Sequence, residues 1–121
     1  MHVTGIGGLF FRARDPDALQ AWYRDHLGVG ANPPESWVWQ QQAGATVFAP
    51  FKHDTDYFPA DRPWMLNLRV QDLDGLLGKL RAADIEVVTK AEWDSPETGR
   101  FARIHDPEGL PIELWEPPAD D

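Results

Sequence analysis

The stretch that decides the fold occurs twice, as GLFFRARDPDAL at residues 8–19 and as MLNLRVQDLDGL at residues 65–76. The two copies are 57 residues apart, and this offset carries Arg12 onto Arg69. Each copy reads as an apolar strand, an aspartate that caps a helix, and an amphipathic helix. A repeat of this kind predicts two equivalent modules, with any functional site at the seam where the copies face each other.

The length of the chain indicates how these modules are combined. At 121 residues the chain can form one domain with a single core, whereas each half alone would be only marginally stable. We therefore expect a single domain over 1–121 in which both modules share one sheet system. Module one covers about 1–50, a linker follows over about 51–63, and module two covers about 64–118.

The composition excludes several classes of partner. The 11 basic and 20 acidic residues give a net charge of −9, which argues against nucleic acid and anionic membranes as partners. The absence of cysteine excludes disulfides, thiolate metal sites and cysteine nucleophiles. Because the sequence shows neither an export signal nor an apolar run of about 18 residues, we expect a cytoplasmic protein without a membrane span.

Each module is predicted to contain a strand, a helix and then further strands, from the hydrophobic periodicity and the turn residues. In module one the first strand covers 5–14, and the helix begins after Asp15 and ends at Gly28. A strand pair is predicted over 37–41 and 45–49. The order strand, helix and three strands is expected in both halves.

Module two repeats this plan after the linker. Its first strand covers 64–70, and its helix begins after Asp72 with leucines at helical spacing. The remaining strands are predicted over 86–89, 100–105 and 111–116. An Asp-Pro-Glu-Gly turn lies between the last two strands.

Two segments carry a resemblance to a known superfamily. They read FRARDPDALQAWYRDHLGV at 11–29 and IHDPEGLPIELW at 104–115, and with the repeat they cover nearly the whole chain. The chain resembles the vicinal oxygen chelate superfamily, which includes glyoxalase I, bleomycin-resistance and fosfomycin-resistance proteins, and extradiol dioxygenases. The resemblance implies an α+β fold of two βαβββ modules that form a U-shaped half-barrel cleft with the helices outside. Because one fold supports many activities, function must be argued from the cleft residues.

The resemblance also implies where a metal would be bound. Superfamily enzymes hold a divalent cation with His, Gln or Glu from the first and last strands of each module. These positions are here Gly8, Phe48, Met65 and Glu113. Only Glu113 can be a ligand, whereas a catalytic site needs about three nitrogen or oxygen ligands. We therefore expect a degenerate metal site and no cofactor, although a different cluster of His105, Glu113 and either His53 or Asp54 stays open.

Alternation along the strands predicts which residues share the cleft face with the metal positions that the resemblance implies. The predicted ligand-binding residues are Phe10, Arg12, Trp39, Phe48, Met65, Asn67, Arg69, Arg103 and Trp115. The wall is mostly aromatic, with Trp37 as an alternative to Trp39, and it carries a few polar groups, which is typical of a small-molecule site. Arg103 and Glu113 share the cleft face only if a bulge or a loop longer than a two-residue turn connects their strands.

Glu113 and His105 are the candidates for acid–base catalysis, because histidine titrates near neutral pH and a carboxylate can accept a proton. Each also has a structural interpretation. Glu113 can pair with one of the cleft arginines, since a buried carboxylate needs a partner, and His105 can be a solvated residue before a turn. Linker residues such as Tyr57 can close the cleft as a lid, or pack on the barrel or on a second subunit.

Three hypotheses for function follow. The first is a glyoxalase- or bleomycin-resistance-like protein, expected as a homodimer, that binds a small apolar or aromatic molecule in the cleft. The second is a lyase, isomerase or dioxygenase of the superfamily that uses an altered metal centre or an acid–base pair. The third is a dimeric interaction module without a ligand.

Overall fold

The computed structural model describes residues 1–30 and 38–119. They form two helices and one sheet of three strands, and the predicted α+β class is confirmed. Within the described residues, no helix is both long enough and apolar enough to cross a membrane.

Both helices begin at the aspartates of the repeat. Helix α1, Pro16–Leu27, is capped by Asp15, whose carboxylate accepts a hydrogen bond of 3.2 Å from an amide of the first turn. Helix α2, Leu73–Ala82, is capped in the same way by Asp72, with a hydrogen bond of 3.1 Å. The prediction of two capped helices at equivalent positions is therefore confirmed.

The sheet is formed by strands β1, Leu66–Arg69, β2, Arg100–His105, and β3, Pro111–Glu116. Strand β3 lies in the centre, parallel to β1 and antiparallel to β2. The two last strands have the predicted bounds, and the first is shorter than predicted. The strand predicted over 86–89 is reduced to a single bridge, in which Val88 pairs with β2.

The core lies between one face of this sheet and the two helices. Its buried residues are Leu19, Tyr23, Leu68, Leu73, Leu77, Leu80, Ala102, Ile104, Ile112 and Leu114. The strand residues among them alternate along each strand, as predicted, because successive side chains point to opposite faces. The second face of the sheet therefore carries the intervening residues, among them Asn67, Arg103 and Glu113.

A buried polar contact joins the two modules. The Tyr23 hydroxyl on α1 donates a hydrogen bond of 2.7 Å to Asp106 in the loop between β2 and β3. The other oxygen of Asp106 accepts from the amides of Glu108 and Leu110 at 2.8 and 3.1 Å. Burial and the neighbouring carboxylate raise the pKa of Tyr23. The Glu108 carboxylate in turn accepts hydrogen bonds from the two amides just before α1, so this loop holds the start of the helix.

Module one differs from the sequence prediction in its strands. Within the described residues, 5–14 and 38–49 form no strand, and their side chains are largely exposed. A strand needs a partner backbone for its amides and carbonyls, and the described residues form no ladder with either segment. Module two instead contacts residues 38–49 through Arg69, whose guanidinium donates to the carbonyls of Gln42 and Ala45. Trp37, the first residue of the predicted strand pair, lies outside the described residues.

Candidate functional site

Three predicted site residues lie side by side on the second face of the sheet, and we call them the polar row. Glu113 in the central strand is in register with Asn67 of β1 on one side and with Arg103 of β2 on the other. The loop between β2 and β3 covers residues 106–110, which is longer than a two-residue turn. The condition for Arg103 and Glu113 to share a face is therefore met.

Glu113 is a buried carboxylate whose two oxygens are both hydrogen-bonded. The residue is 8% exposed. Asn67 Nδ2 donates to one oxygen at 2.7 Å, and the hydroxyl of Tyr57, a linker residue, donates to the other. In the part of the chain that the structure describes, no arginine forms an ion pair with Glu113. Neutral donors thus satisfy the carboxylate, in place of the pairing with a cleft arginine that the sequence allows.

Arg103 lies beside Glu113 but is held by aromatic rings. Its guanidinium carbon is 5.0 Å from the centre of the Tyr57 ring and 5.7 Å from that of Trp93. Its Nη2 donates to the Tyr57 carbonyl at 3.0 Å. Its Nε is buried and has no hydrogen-bond partner among the described residues. The site therefore holds a cation against two aromatic rings and leaves one of its donors unsatisfied.

Tyr57 connects these groups and comes from the linker. Its ring stacks on Phe51, with 5.7 Å between centres and 25° between planes, and lies edge-on to Trp93 at 6.3 Å. Burial and the hydrogen bond to Glu113 raise the pKa of Tyr57 to about 12, against the opposing effect of the Arg103 cation. The hydroxyl therefore stays a hydrogen-bond donor at neutral pH.

Two rings at this site are not among the residues that the sequence predicts. Phe51 belongs to the linker, and Trp93 belongs to a short 3₁₀ helix, Ala91–Trp93, that precedes β2. The concentration of aromatic residues in a proline-rich linker is the signal that could have identified Phe51. No comparable signal marks Trp93, because a single tryptophan before a strand is equally typical of a core residue.

The next row on the same face contains Arg69, Trp115 and Phe101. Trp115 stacks on Phe101 with 6.4 Å between ring centres and 9° between planes. Its indole N–H donates to the Thr98 carbonyl at 2.7 Å. Trp115 thus places an aromatic surface one row from Glu113, whereas Arg69 is used to hold the backbone of module one.

Besides Arg69 and Trp115, six predicted site residues make no ring contact, hydrogen bond or ion pair with the polar row in the described parts of the chain. They are Phe10, Arg12, Trp39, Phe48, Met65 and His105. Phe10 and Phe48 are 93% and 88% exposed, so they form no pocket wall in this arrangement. His105 lies exposed at the end of β2, and no hydrogen bond joins it to Glu113 among the described residues.

The residues at the superfamily's metal positions do not suit a divalent cation. Gly8 has no side chain, Phe48 has no lone pair, and the thioether of Met65 prefers soft metals. Among the residues that the structure describes, no three His, Cys, Asp or Glu side chains lie close enough together to hold a metal ion. The alternative cluster around His105 and Glu113 is therefore not formed in this arrangement.

The two tyrosines of the chain, Tyr23 and Tyr57, are expected to ionise above their ordinary pKa of 10. The unfolded chain loses both protons near pH 10 while the folded protein retains them. The free energy of unfolding is therefore expected to fall as the pH rises from 10 through 12. An ultraviolet titration of tyrosinate measures the ionisation, and the Tyr57→Phe variant assigns the step near 12. Ionisation of either tyrosine at pH 10 in the folded protein would contradict the described hydrogen bonds.

The chain is similar to a known family and to a solved structure. A family model described as a glyoxalase-like domain matches residues 8–115. The crystal structure of TnmS3, an antibiotic binding protein from Streptomyces sp. CB03234, matches with a TM-score of 0.58 at 23% sequence identity. This match covers 97% of the present chain and 98% of that chain, so the two share a fold. No curated protein matches the chain.

Proposed function

The chain belongs to the family of glyoxalase-like domains, and from that premise we propose that it binds a small aromatic or otherwise apolar molecule at the polar row. The observation that carries the proposal is a buried carboxylate, Glu113, beside a guanidinium that stacks on aromatic rings without pairing with it. Aromatic surface with a few convergent polar groups suits a small organic ligand. The structural neighbour TnmS3 is an antibiotic binding protein, which supports the same class of ligand for this chain.

In this proposal the polar row orients the ligand and the rings provide most of the contact area. Glu113 provides a carboxylate acceptor, Asn67 provides a side-chain amide, and Arg103 provides a cation next to them. The acid–base alternative requires His105 within reach of Glu113, and the described residues give no hydrogen bond between them. The proposal is therefore limited to binding.

Tryptophan fluorescence tests the proposal, because Trp93 contacts Arg103 and Trp115 lies one row from Glu113. Titration with a panel of planar antibiotics and phenolic metabolites is expected to give a saturable change for at least one compound. Trp93→Phe is expected to reduce this change, whereas Trp22→Phe on α1 is expected to retain it. A flat response to every compound would contradict the proposal.

Ligand binding is expected to be independent of divalent metal, because the residues at the superfamily's metal positions supply only one suitable ligand, Glu113. The Kd measured in EDTA should agree with the Kd measured with added Mg²⁺ or Zn²⁺. Elemental analysis of protein purified without chelator should accordingly find metal far below one equivalent. Binding that is lost in EDTA and restored by one particular cation would contradict this expectation.

We further propose a homodimer in which a second copy covers the exposed apolar side chains of module one. Among the most exposed of these are Ile6, Phe10, Val47 and Phe48. They belong to segments with strand-like sequences and no strand ladder among the described residues, and exposed apolar segments of this kind favour association with another chain.

Sedimentation equilibrium is expected to show a dimer. Phe48→Asp should shift the protein towards monomer, because a charge at a buried apolar contact opposes association. Gln41→Asp adds the same charge at an exposed polar position of the same segment and should have a smaller effect. A wild-type protein that is monomeric at all concentrations would contradict the homodimer.

A further inference from the structure

We propose that the ligand of this site is a hydroxyaryl compound, and that Tyr57 occupies the ligand's place in the free protein. This inference rests on the proposed function and specifies the chemical class of the ligand. Tyr57 is itself a phenol, attached to the linker, and it lies on the polar row with its hydroxyl bound to the buried carboxylate.

The contacts of Tyr57 show how the site recognises a phenol. Its hydroxyl donates to Glu113, which already accepts from Asn67 and so presents a fixed acceptor. Its ring lies 5.0 Å from the Arg103 guanidinium and stacks on Phe51 at 5.7 Å. A hydrogen bond to an ionised acceptor is stronger than one between neutral groups, and the cation adds attraction to the ring. Both the acidic proton and the aromatic ring of a phenol are thus bound.

The segment that carries Tyr57 has few connections to the rest of the chain. Within the described residues, its backbone hydrogen bonds close two local turns, at 52–55 and 59–62. The hydrogen bond from the sheet to its backbone is donated by Arg103 to the Tyr57 carbonyl. Tyr57 can therefore leave the polar row without breaking a strand pairing or a helix, as local opening of a weakly held segment requires.

Arg103 supplies a second indication that an external ligand belongs here. Its Nε is buried and has no acceptor among the described residues, while the hydroxyl of Tyr57 is directed to Glu113. A buried donor without an acceptor is unfavourable, and a hydroxyaryl ligand with a second oxygen can supply that acceptor. The site is therefore better suited to such a ligand than to the tyrosine that fills it.

Calorimetric titration with 2-naphthol tests the inference. Tyr57→Ala is expected to bind 2-naphthol about tenfold more tightly than the wild type or better, because the probe no longer competes with the linker ring. Tyr57→Phe keeps the ring but loses the hydrogen bond to Glu113, so its affinity is expected to lie between the two. Asp56→Ala, an exposed change in the same linker, is the matched control and is expected to leave the affinity unchanged.

A second probe tests recognition of the hydroxyl. The compound 2-methoxynaphthalene has the same ring system but no hydrogen-bond donor. Tyr57→Ala is expected to prefer 2-naphthol over it by about tenfold, and adding Glu113→Gln is expected to abolish this preference. Circular dichroism checks that each variant is folded, and Tyr57→Phe carries the test if Tyr57→Ala does not fold.

Equal affinity of wild type and both Tyr57 variants for 2-naphthol would overturn the inference, as would equal affinity of Tyr57→Ala for the two probes. Failure of every variant to bind 2-naphthol would also overturn it. If another planar compound still saturates the tryptophan signal, the hydroxyaryl assignment alone has failed and the proposed function stands. If no compound of the panel binds, the proposed function has failed as well.

Discussion

Replacing Asp106 by alanine is expected to lower the free energy of unfolding by about 3 kcal/mol. Asp106 is 5% exposed and accepts hydrogen bonds from the Tyr23 hydroxyl and from the amides of Glu108 and Leu110. Alanine leaves all three donors without this acceptor, and each buried donor that loses its partner costs about 1–3 kcal/mol. Urea denaturation followed by circular dichroism measures the change in the midpoint.

Two matched variants separate this contact from a general effect of losing a carboxylate. Tyr23→Phe removes a single donor and leaves the two amide hydrogen bonds, so we expect a smaller loss of about 1 kcal/mol. Asp54→Ala changes an exposed aspartate of the linker and is expected to lie within about 0.5 kcal/mol of the wild type. If Asp106→Ala were as stable as Asp54→Ala, the buried connection between the modules would be contradicted.

The helices and the last two strands could be predicted because their signals are local. Asp15 and Asp72 cap helices through side-chain hydrogen bonds to amides only three residues away, so a short stretch of sequence contains both partners. The strands over 100–105 and 111–116 alternate apolar and polar residues, and this period alone identifies the face that packs on the helices.

The strands of module one could not be predicted in the same way from local sequence. Residues 5–14 have the composition of a strand, but composition does not specify which backbone would pair with it. A hydrogen-bonded ladder requires two paired segments, and within the described residues neither 5–14 nor 38–49 forms a strand ladder. The exposed apolar side chains of these segments, such as Phe10 and Phe48, are the reason for proposing a second copy of the chain there.

In the candidate site, the sheet residues could be predicted from the sequence, whereas the contact with the linker could not. Alternation, the metal positions implied by the resemblance and an assumed bulge or longer loop place Asn67, Arg103 and Glu113 on one face, and the structure brings these three into register. The contact between Tyr57 and Glu113 joins a linker to a sheet face, and such contacts follow no period that a sequence displays. The sequence therefore indicates the floor of the site and offers Tyr57 as one possible lid, while the contact of Tyr57 with Glu113 could only be found from the structure.

In the Tyr57→Ala background, where the linker ring no longer competes for Glu113, replacing Glu113 by glutamine is expected to weaken binding of the ligand by about tenfold or more, since a hydrogen bond to a charged group contributes about 1.5–3 kcal/mol. The glutamine has one acceptor oxygen where the carboxylate has two, and its amide then faces either the Asn67 amide or the donor of the ligand. Calorimetric titration with a compound that saturates the tryptophan signal measures the change in Kd.

Glu86→Gln is the matched control for this variant, because Glu86 is an exposed carboxylate on the segment before β2 and its loss should leave Kd unchanged. A second readout distinguishes recognition from a loss of structure. In the single variant Glu113→Gln, which retains Tyr57, the pKa of Tyr57 should fall from about 12 towards its ordinary value of 10, because the carboxylate that favours the protonated phenol is gone. If that pKa fell while the double variant kept the Kd of Tyr57→Ala, Glu113 would serve only to hold Tyr57, and binding at the polar row would have to depend on Arg103 and the rings.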